Sequence, residues 1–173
     1  MSRSFTFPEL KTERLTLRLP KMEDFAAFSE YQKSDRMTYV GGPVASAEQR
    51  YRKFSNLAGQ WILRGFGPFI FERNDTGEPI GGGGLWFPAT HPELEIGWAI
   101  WSADAEGQGY AFEGVSAARD HARTAFGLDA LASFIDIDNE RSIRLAEKLG
   151  AKKEETRVQE DWTYHVYRHP AFL

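Results

Sequence analysis

Hydrophobic residues recur along the chain at two spacings, and each spacing predicts an element. Leu15, Leu17 and Leu19 alternate with Thr16 and Arg18, which predicts a strand stopped by Pro20. From Glu23, acids suited to a first helical turn precede Phe25, Phe28 and Tyr31, a short helix. Tyr39 to Pro43 carries Gly41-Gly42-Pro43 and reads as a loop. Ser46-Ala47-Glu48-Gln49 reads as a capping box opening a helix whose Tyr51, Phe54, Ala58 and Trp61 share one face. Gly65 and Gly67-Pro68 end it. Phe69 to Arg73 and Pro79 to Phe87 predict a hairpin around Asn74-Asp75-Thr76-Gly77, and Pro88 to Pro92 a loop. Leu94, Ile96, Trp98 and Ile100 then alternate with Glu95, Gly97, Ala99 and Trp101, a strand with two distinct faces. Phe112, Val115, Ala118, Ala122, Ala125 and Phe126 return to helical spacing, with Gly127 at the cap position and Gly114 a mild weakness. Ala130 to Asp138 is a strand. Asn139 caps a further helix with Ile143, Ala146 and Leu149 inward and Gly150 closing it. Ala151 to Val158 and Trp162 to Arg168 predict a terminal hairpin. No repeat, linker or low-complexity segment interrupts the series, so one domain over residues 1–173 is expected.

One strand departs from its pattern. Gly81 to Gly84 offer no side chains to pack, which marks a crowded, twisted sheet or room left for a substrate; the crowded sheet is the favoured reading.

The stretch from Glu93 to Glu113 organises the rest. After the central strand come a short polar linker, the turn Glu106-Gly107-Gln108-Gly109-Tyr110-Ala111, and a helix. A glycine turn entering a helix points several main-chain N–H groups and the positive helix end at one spot, an anion site suited to phosphate. A nucleotide P-loop needs Gly-Lys-Ser/Thr, and the chain has Gly109-Tyr110-Ala111 instead. A dinucleotide turn needs Gly or Ala at its sixth position, where Phe112 stands. The acetyl-CoA turn Q/R-x-x-G-x-G/A fits at Gly109 and Ala111, with Glu106 where Gln or Arg is usual.

Composition narrows the classes. Hydrophobic residues make up 42% of 173, enough for a folded core. The apolar runs are too short to span a membrane and the N-terminus lacks a signal pattern, so a cytoplasmic protein without membrane attachment is expected. Without cysteine there is no disulfide, thiolate metal site or cysteine nucleophile. His91, His121, His165 and His169 show no metal-ligand spacing, so no metal is expected. A net charge of −4 disfavours a nucleic-acid binder and permits a cationic acceptor.

The chain resembles the GNAT superfamily of N-acetyltransferases, in the branch of the RimJ/RimL type that acetylates ribosomal-protein N-termini. The resemblance is carried by Thr12-Glu13-Arg14-Leu15-Thr16-Leu17-Arg18, Glu95-Ile96-Gly97-Trp98, Gly107-Gln108-Gly109-Tyr110-Ala111, and Asn139-Glu140-Arg141-Ser142 leading to Glu147-Lys148-Leu149-Gly150. It implies an α+β acyl-CoA N-acyltransferase fold: a mostly antiparallel twisted sheet, splayed at the cofactor strand and flanked by helices. It also implies acetyl-CoA as cosubstrate and an amine acceptor, on a protein N-terminus or a small molecule; a homodimer is compatible with it. The alternative is a catalytically silent acyl-CoA sensor on the same fold.

In that reading Glu106, Gly107, Gln108, Gly109, Tyr110 and Ala111 bind the diphosphate through main-chain donors, the Glu106 side chain pointing away from it. Ala99, Ile100 and Trp101 offer main-chain hydrogen bonds to pantetheine, and a bulge in their strand aims an N–H at the thioester oxygen. Glu95 is the candidate general base, through water, with Glu93 as its fallback. The family's acid is often a tyrosine seven residues after the asparagine matched by Asn139, but Ala146 stands there. Ser142 is the remaining candidate to hydrogen-bond the thiolate, or else a local cap; Tyr164 is a more distant one. Asn139 caps its helix, contacts pantetheine, or both.

Overall fold

Every pair of neighbouring strands but one is antiparallel, and the exception is where the sheet parts. The computed structural model describes residues 7–171. Its strands are β1 (Leu10–Lys11), β2 (Leu15–Arg18), β3 (Pro68–Arg73), β4 (Pro79–Trp86), β5 (Glu95–Ile100), β6 (Ala132–Asp136), β7 (Lys152–Gln159) and β8 (Trp162–Arg168). Its helices are α1 (Phe25–Lys33), α2 (Ala47–Arg64), α3 (Tyr110–Phe126) and α4 (Glu140–Lys148). The strands form one sheet in the order β1-β2-β3-β4-β5-β6-β8-β7. A hairpin can join antiparallel neighbours, but the chain from β5 to β6 crosses over through α3, so these two run parallel. Their pairing amounts to one rung, Glu95 opposite Ala132.

Alternation along β5 places Ile96 against α3 with Leu15, Leu17, Phe71 and Val115. Ala99 and Trp101 turn to the opposite face, with Phe28 of α1 and Phe54 of α2. The Arg18 guanidinium is buried and pairs with Asp24 through two bonds of 2.8 Å. Asp24 also takes the Lys21 main-chain N–H at 2.8 Å, which fixes the entry into α1.

The glycine run is a packing device. A Cβ on Gly81 would lie 2.3 Å from the Ala99 carbonyl oxygen, and one on Gly82 would lie 2.6 Å from that of Phe69. The fully buried Phe71 ring also needs space: a Cβ on Gly83 would meet it at 2.9 Å and one on Gly114 of α3 at 2.7 Å. Gly114 is therefore the price in helix propensity for seating α3 closely on the sheet.

Some elements differ from the sequence expectation. Asp35–Val40 form a 3-10 helix closed by Gly41 at φ +95°, where a loop was expected from Tyr39. β1 and a 3-10 turn at Ala103–Ala105 are additional. Ser46 caps α2 by accepting from the Gln49 N–H. Tyr51 stays 48% exposed rather than joining Phe54 in the core, its ring edge-on to Phe25 at the margin of the face. The expected bulge in β5 is not there: its pairing with β4 runs without a shift from Gly81–Ile100 to Trp86–Glu95. Glycines opposite the strand carry no side chain to force it out of register.

Candidate active site

Beyond the Glu95–Ala132 rung, β5 and β6 diverge and leave one edge of β5 open. The carbonyls of Gly97 and Ala99 abut Gly83 and Gly81 of β4. Main-chain groups alternate along a strand, so those of Ile96, Trp98 and Ile100 face the opening. Of the three residues expected to offer pantetheine contacts, Ile100 thus faces the opening. Ala99 lies in the β4 ladder, and the Trp101 N–H donates to Ile80 O at 2.7 Å. Trp98, which sequence reasoning did not select for its main chain, faces the opening.

The glycine turn stands at the end of this edge. Gly107 and Gly109 take φ values of +72° and +84°, which a side chain would strain. The Glu106 N–H donates to Ala103 O at 3.2 Å and the Glu113 N–H to Gly109 O at 3.1 Å. Between them, among the described residues, the N–H groups of Gly107 and of Gly109 to Phe112 have no main-chain acceptor, the last four as the first turn of a helix requires. The turn is braced from β2's approach: Arg14 donates through Nη1 to Gln108 O at 2.9 Å, and its guanidinium lies over the Tyr110 ring at 4.4 Å.

Glu106 behaves differently from the expectation that its side chain points away. Its carboxylate lines the groove, held by Arg36 Nε at 2.9 Å and by Arg141 Nη1 at 2.5 Å. Burial works against ionisation, but the hydrogen bonds from Arg36 and then Arg141 outweigh it and hold this carboxyl below its usual range. Two cations thus share this anion, in a groove that Asp35, Asp138 and Glu140 also line. Arg36 also donates to Ile100 O at 2.6 Å and Trp101 O at 2.5 Å, tying the 3-10 helix at Asp35–Val40 to the end of β5.

At the apex of the opening, a smaller pocket is walled by Tyr39, Val40, Gly97, Phe134, Glu95 and Asp136, and among the described residues no Lys or Arg lines it. Glu95 Oε2 lies 2.6 Å from His91 Nε2, and the imidazole packs against the Phe134 ring. Glu93, the fallback base, is instead paired with Arg168 at 2.6 Å and Arg157 at 3.3 Å. Those partners, Arg168 foremost, hold it below the ordinary carboxylate range.

Asn139 caps α4 by accepting the Ser142 N–H at 3.2 Å. The Ser142 hydroxyl accepts the Trp98 indole N–H at 3.3 Å, which leaves its own proton free. Both residues line the junction of groove and pocket. Ala146 is wholly buried with Ile135, Ala151 and Tyr167, so no acid comes from that position. Tyr164 is 3% exposed and packs beneath Phe134.

Arg14, Arg36 and His91 were missed as site residues. Arg14 lies in the Thr12 to Arg18 motif, and His91 lies four residues before Glu95. No local signal marks Arg36, whose role depends on a contact 70 residues away in sequence. Among the described residues no cluster of His, Asp or Glu is placed to hold a metal, and no helix is long and apolar enough to cross a membrane.

A mixed sheet opened along one strand, with a glycine turn leading into a helix at that strand's end, defines an acyl-CoA acyltransferase fold. Residues 14–152 match the family described as "Acetyltransferase (GNAT) domain". The chain belongs to this family and is an acetyl-CoA-dependent acetyltransferase. It is 32% identical, over 151 residues, to the Uncharacterized N-acetyltransferase YoaA of Bacillus subtilis (strain 168), covering 86% of this chain and 85% of that protein. The crystal structure of the acetyltransferase from Agrobacterium tumefaciens superposes with a TM-score of 0.87 at 34% identity, covering 98% of each chain. RimL, a ribosomal L7/L12 alpha-N-protein acetyltransferase in complex with coenzyme A, shares the fold with a TM-score of 0.75 at 18% identity, covering 91% of this chain and 94% of that one.

Proposed function

We propose that the chain acts as one catalytic domain that transfers the acetyl group of acetyl-CoA directly to a primary amine. The amine belongs to a protein N-terminus, as the RimJ/RimL resemblance suggests, or to a small molecule. One observation carries the reading: the amides of the glycine turn and the open edge of β5 at Trp98 and Ile100 line the groove, and the Glu95 carboxylate lines the pocket that adjoins it at Trp98, Asn139 and Ser142. That order matches diphosphate, pantetheine with thioester, and nucleophile.

The turn amides hold the diphosphate, with the guanidinium groups of Arg36 and Arg141 beside it. Pantetheine lies along the open edge of β5, near Asn139. The cationic acceptor enters the carboxylate-walled pocket. Glu95, oriented by His91, takes a proton from the ammonium through water, because only the neutral amine has a lone pair to attack. The amine nitrogen bonds to the thioester carbon, and the Trp98 N–H stabilises the oxyanion that forms. The C–S bond then breaks as the nitrogen gives up its second proton, which passes through water to the departing sulfur, and the Ser142 hydroxyl hydrogen-bonds that sulfur as it leaves. The absence of cysteine fits direct transfer rather than an acyl-enzyme.

Thiol release measured over ribosomal-protein N-terminal peptides, polyamines and amino acids tests the reading, with no background thiol from a chain that lacks cysteine. Amine-dependent release supports it. Acetyl-CoA binding without release to any amine would favour the silent sensor.

A further inference from the structure

Past the Glu95–Ala132 rung, a regular parallel ladder would give the Ile96 carbonyl a main-chain donor from β6. The splay removes that donor, yet Ile96 is 0% exposed and its carbonyl requires one. Ser133 of β6 supplies it: its hydroxyl donates to Ile96 O at 2.6 Å. A hydroxyl has one proton, so Ser133 Oγ must accept from His169 Nε2, 3.0 Å away. The imidazole is then the Nε2–H tautomer, and its Nδ1 accepts from Arg119 Nη1 at 3.3 Å. Arg119 also donates to Leu149 O at 2.6 Å, and the His169 main-chain N–H donates to Leu131 O at 3.0 Å.

A directed chain therefore runs from α3 through the segment after β8 and through β6 to the β5 carbonyl at the apex of the opening. Ser133 and His169 are both 2% exposed, so no water competes and each group has one way to point. Ser133 also forms part of the floor of the acceptor pocket. The pinned carbonyl lies two residues before Trp98, one strand repeat from the N–H assigned to the oxyanion.

We propose that Ser133, locked by His169 and Arg119, is a positioning residue that fixes the apex of the β5–β6 opening and so aims the Trp98 main-chain N–H at the thioester carbonyl. The proposal rests on the acetyl-transfer reading above. Ser133 itself touches no reacting atom. Its hydroxyl substitutes for the missing rung, and without it β5 is free to shift relative to the acyl group.

Isotope-edited infrared spectroscopy of bound [1-13C]acetyl-CoA tests this without a known acceptor. In the parent protein the thioester carbonyl stretch falls below its solution value. Ser133→Ala keeps the affinity for acetyl-CoA but loses most of that lowering, and transfer to the best amine of the panel drops roughly 10–100-fold with unchanged KM for acetyl-CoA. His169→Gln, which keeps a donor near the Nε2 position, retains the lowered stretch; His169→Leu loses it. This second pair decides the matter if Ser133→Ala fails to fold. A lowered stretch in the parent that persists in Ser133→Ala, or is the same in both His169 variants, overturns the clamp. A parent protein that binds acetyl-CoA with an unshifted carbonyl overturns the oxyanion assignment instead, and one that binds none overturns the transfer reading.

Discussion

Arg14 meets the Glu113 carboxylate through both its main chain and its side chain, at 2.8 Å from N and 2.7 Å from Nε. Thr12 Oγ1 adds a third bond at 2.6 Å. The segment ahead of β2 is thereby fastened to the first turn of α3, and the same guanidinium reaches the glycine turn at Gln108. The turn's shape thus depends on a residue more than 90 positions earlier in the chain.

Glu113→Gln should destabilise the protein by about 1–3 kcal/mol at neutral pH. Burial disfavours the charged Glu113, but the bonds from Thr12 and Arg14 prevail and hold its carboxyl below the usual range. Its folded pKa being the lower, its stabilisation is complete above the unfolded value and vanishes as pH falls through the folded one. Thermal unfolding of parent and variant should therefore differ at pH 7 and converge in acid below the ordinary glutamate range. A gap that persists there would remove the ion pair as its cause.

Glu106→Gln should tighten coenzyme A binding roughly fivefold at low salt, the gain fading as salt rises. The substitution removes an anion that is bonded to both Arg36 and Arg141 and leaves the two arginines with their full charge. Titration calorimetry at two ionic strengths reads this. Weaker binding would mean that Glu106 is needed to hold the two arginines in place.

Glu95→Gln should lower turnover by about two orders of magnitude while acetyl-CoA affinity stays the same. His91→Ala should cost less, because it removes an orienting partner and not the proton acceptor. Steady-state kinetics with the best amine, beside direct acetyl-CoA binding, separate the two effects. Unchanged turnover in Glu95→Gln would exclude Glu95 from the mechanism.

His169 should make stability fall on mild acidification. Burial foremost, then the charges of Arg119 and Arg168, depress its pKa to about 4 from the ordinary 6.5. Arg119 and Arg168 stay protonated throughout. Between those pH values the unfolded chain binds a proton that the folded one refuses, so stability drops by up to about 3 kcal/mol as pH falls from 6.5 towards 4. Denaturant unfolding across that window should show the slope in the parent and not in His169→Gln. An equal slope in both would assign the effect to other groups.

Much of this architecture is legible in local pattern. The two-faced strand around Ile96, the helix behind Gly109, the Asn139 cap and the glycine turn follow from spacing and from residues with one conformational use. What stays hidden depends on contacts between distant segments. Gly114 reads as a weakness until the Phe71 ring is seen against it. Glu106 reads as a poor neighbour for phosphate until Arg36 arrives from a segment 70 residues away. The main-chain direction of Trp98 against Ala99 is set by which strand lies on which side, and alternation alone does not say. Ser133 and His169 look unremarkable in sequence because their partnership exists only where the sheet parts.

In the proposed complex the main-chain amides of the glycine turn grip the diphosphate while β5 presents the acyl group to Glu95. Amide-resolved NMR titration with coenzyme A tests it most directly. The N–H signals of Gly107, Gln108, Gly109, Tyr110 and Ala111 should shift downfield first and furthest, with those of Trp98 and Ile100 following and those of Gly81 to Gly84 scarcely moving. Binding that leaves the turn amides unshifted, with the largest changes elsewhere, would contradict it.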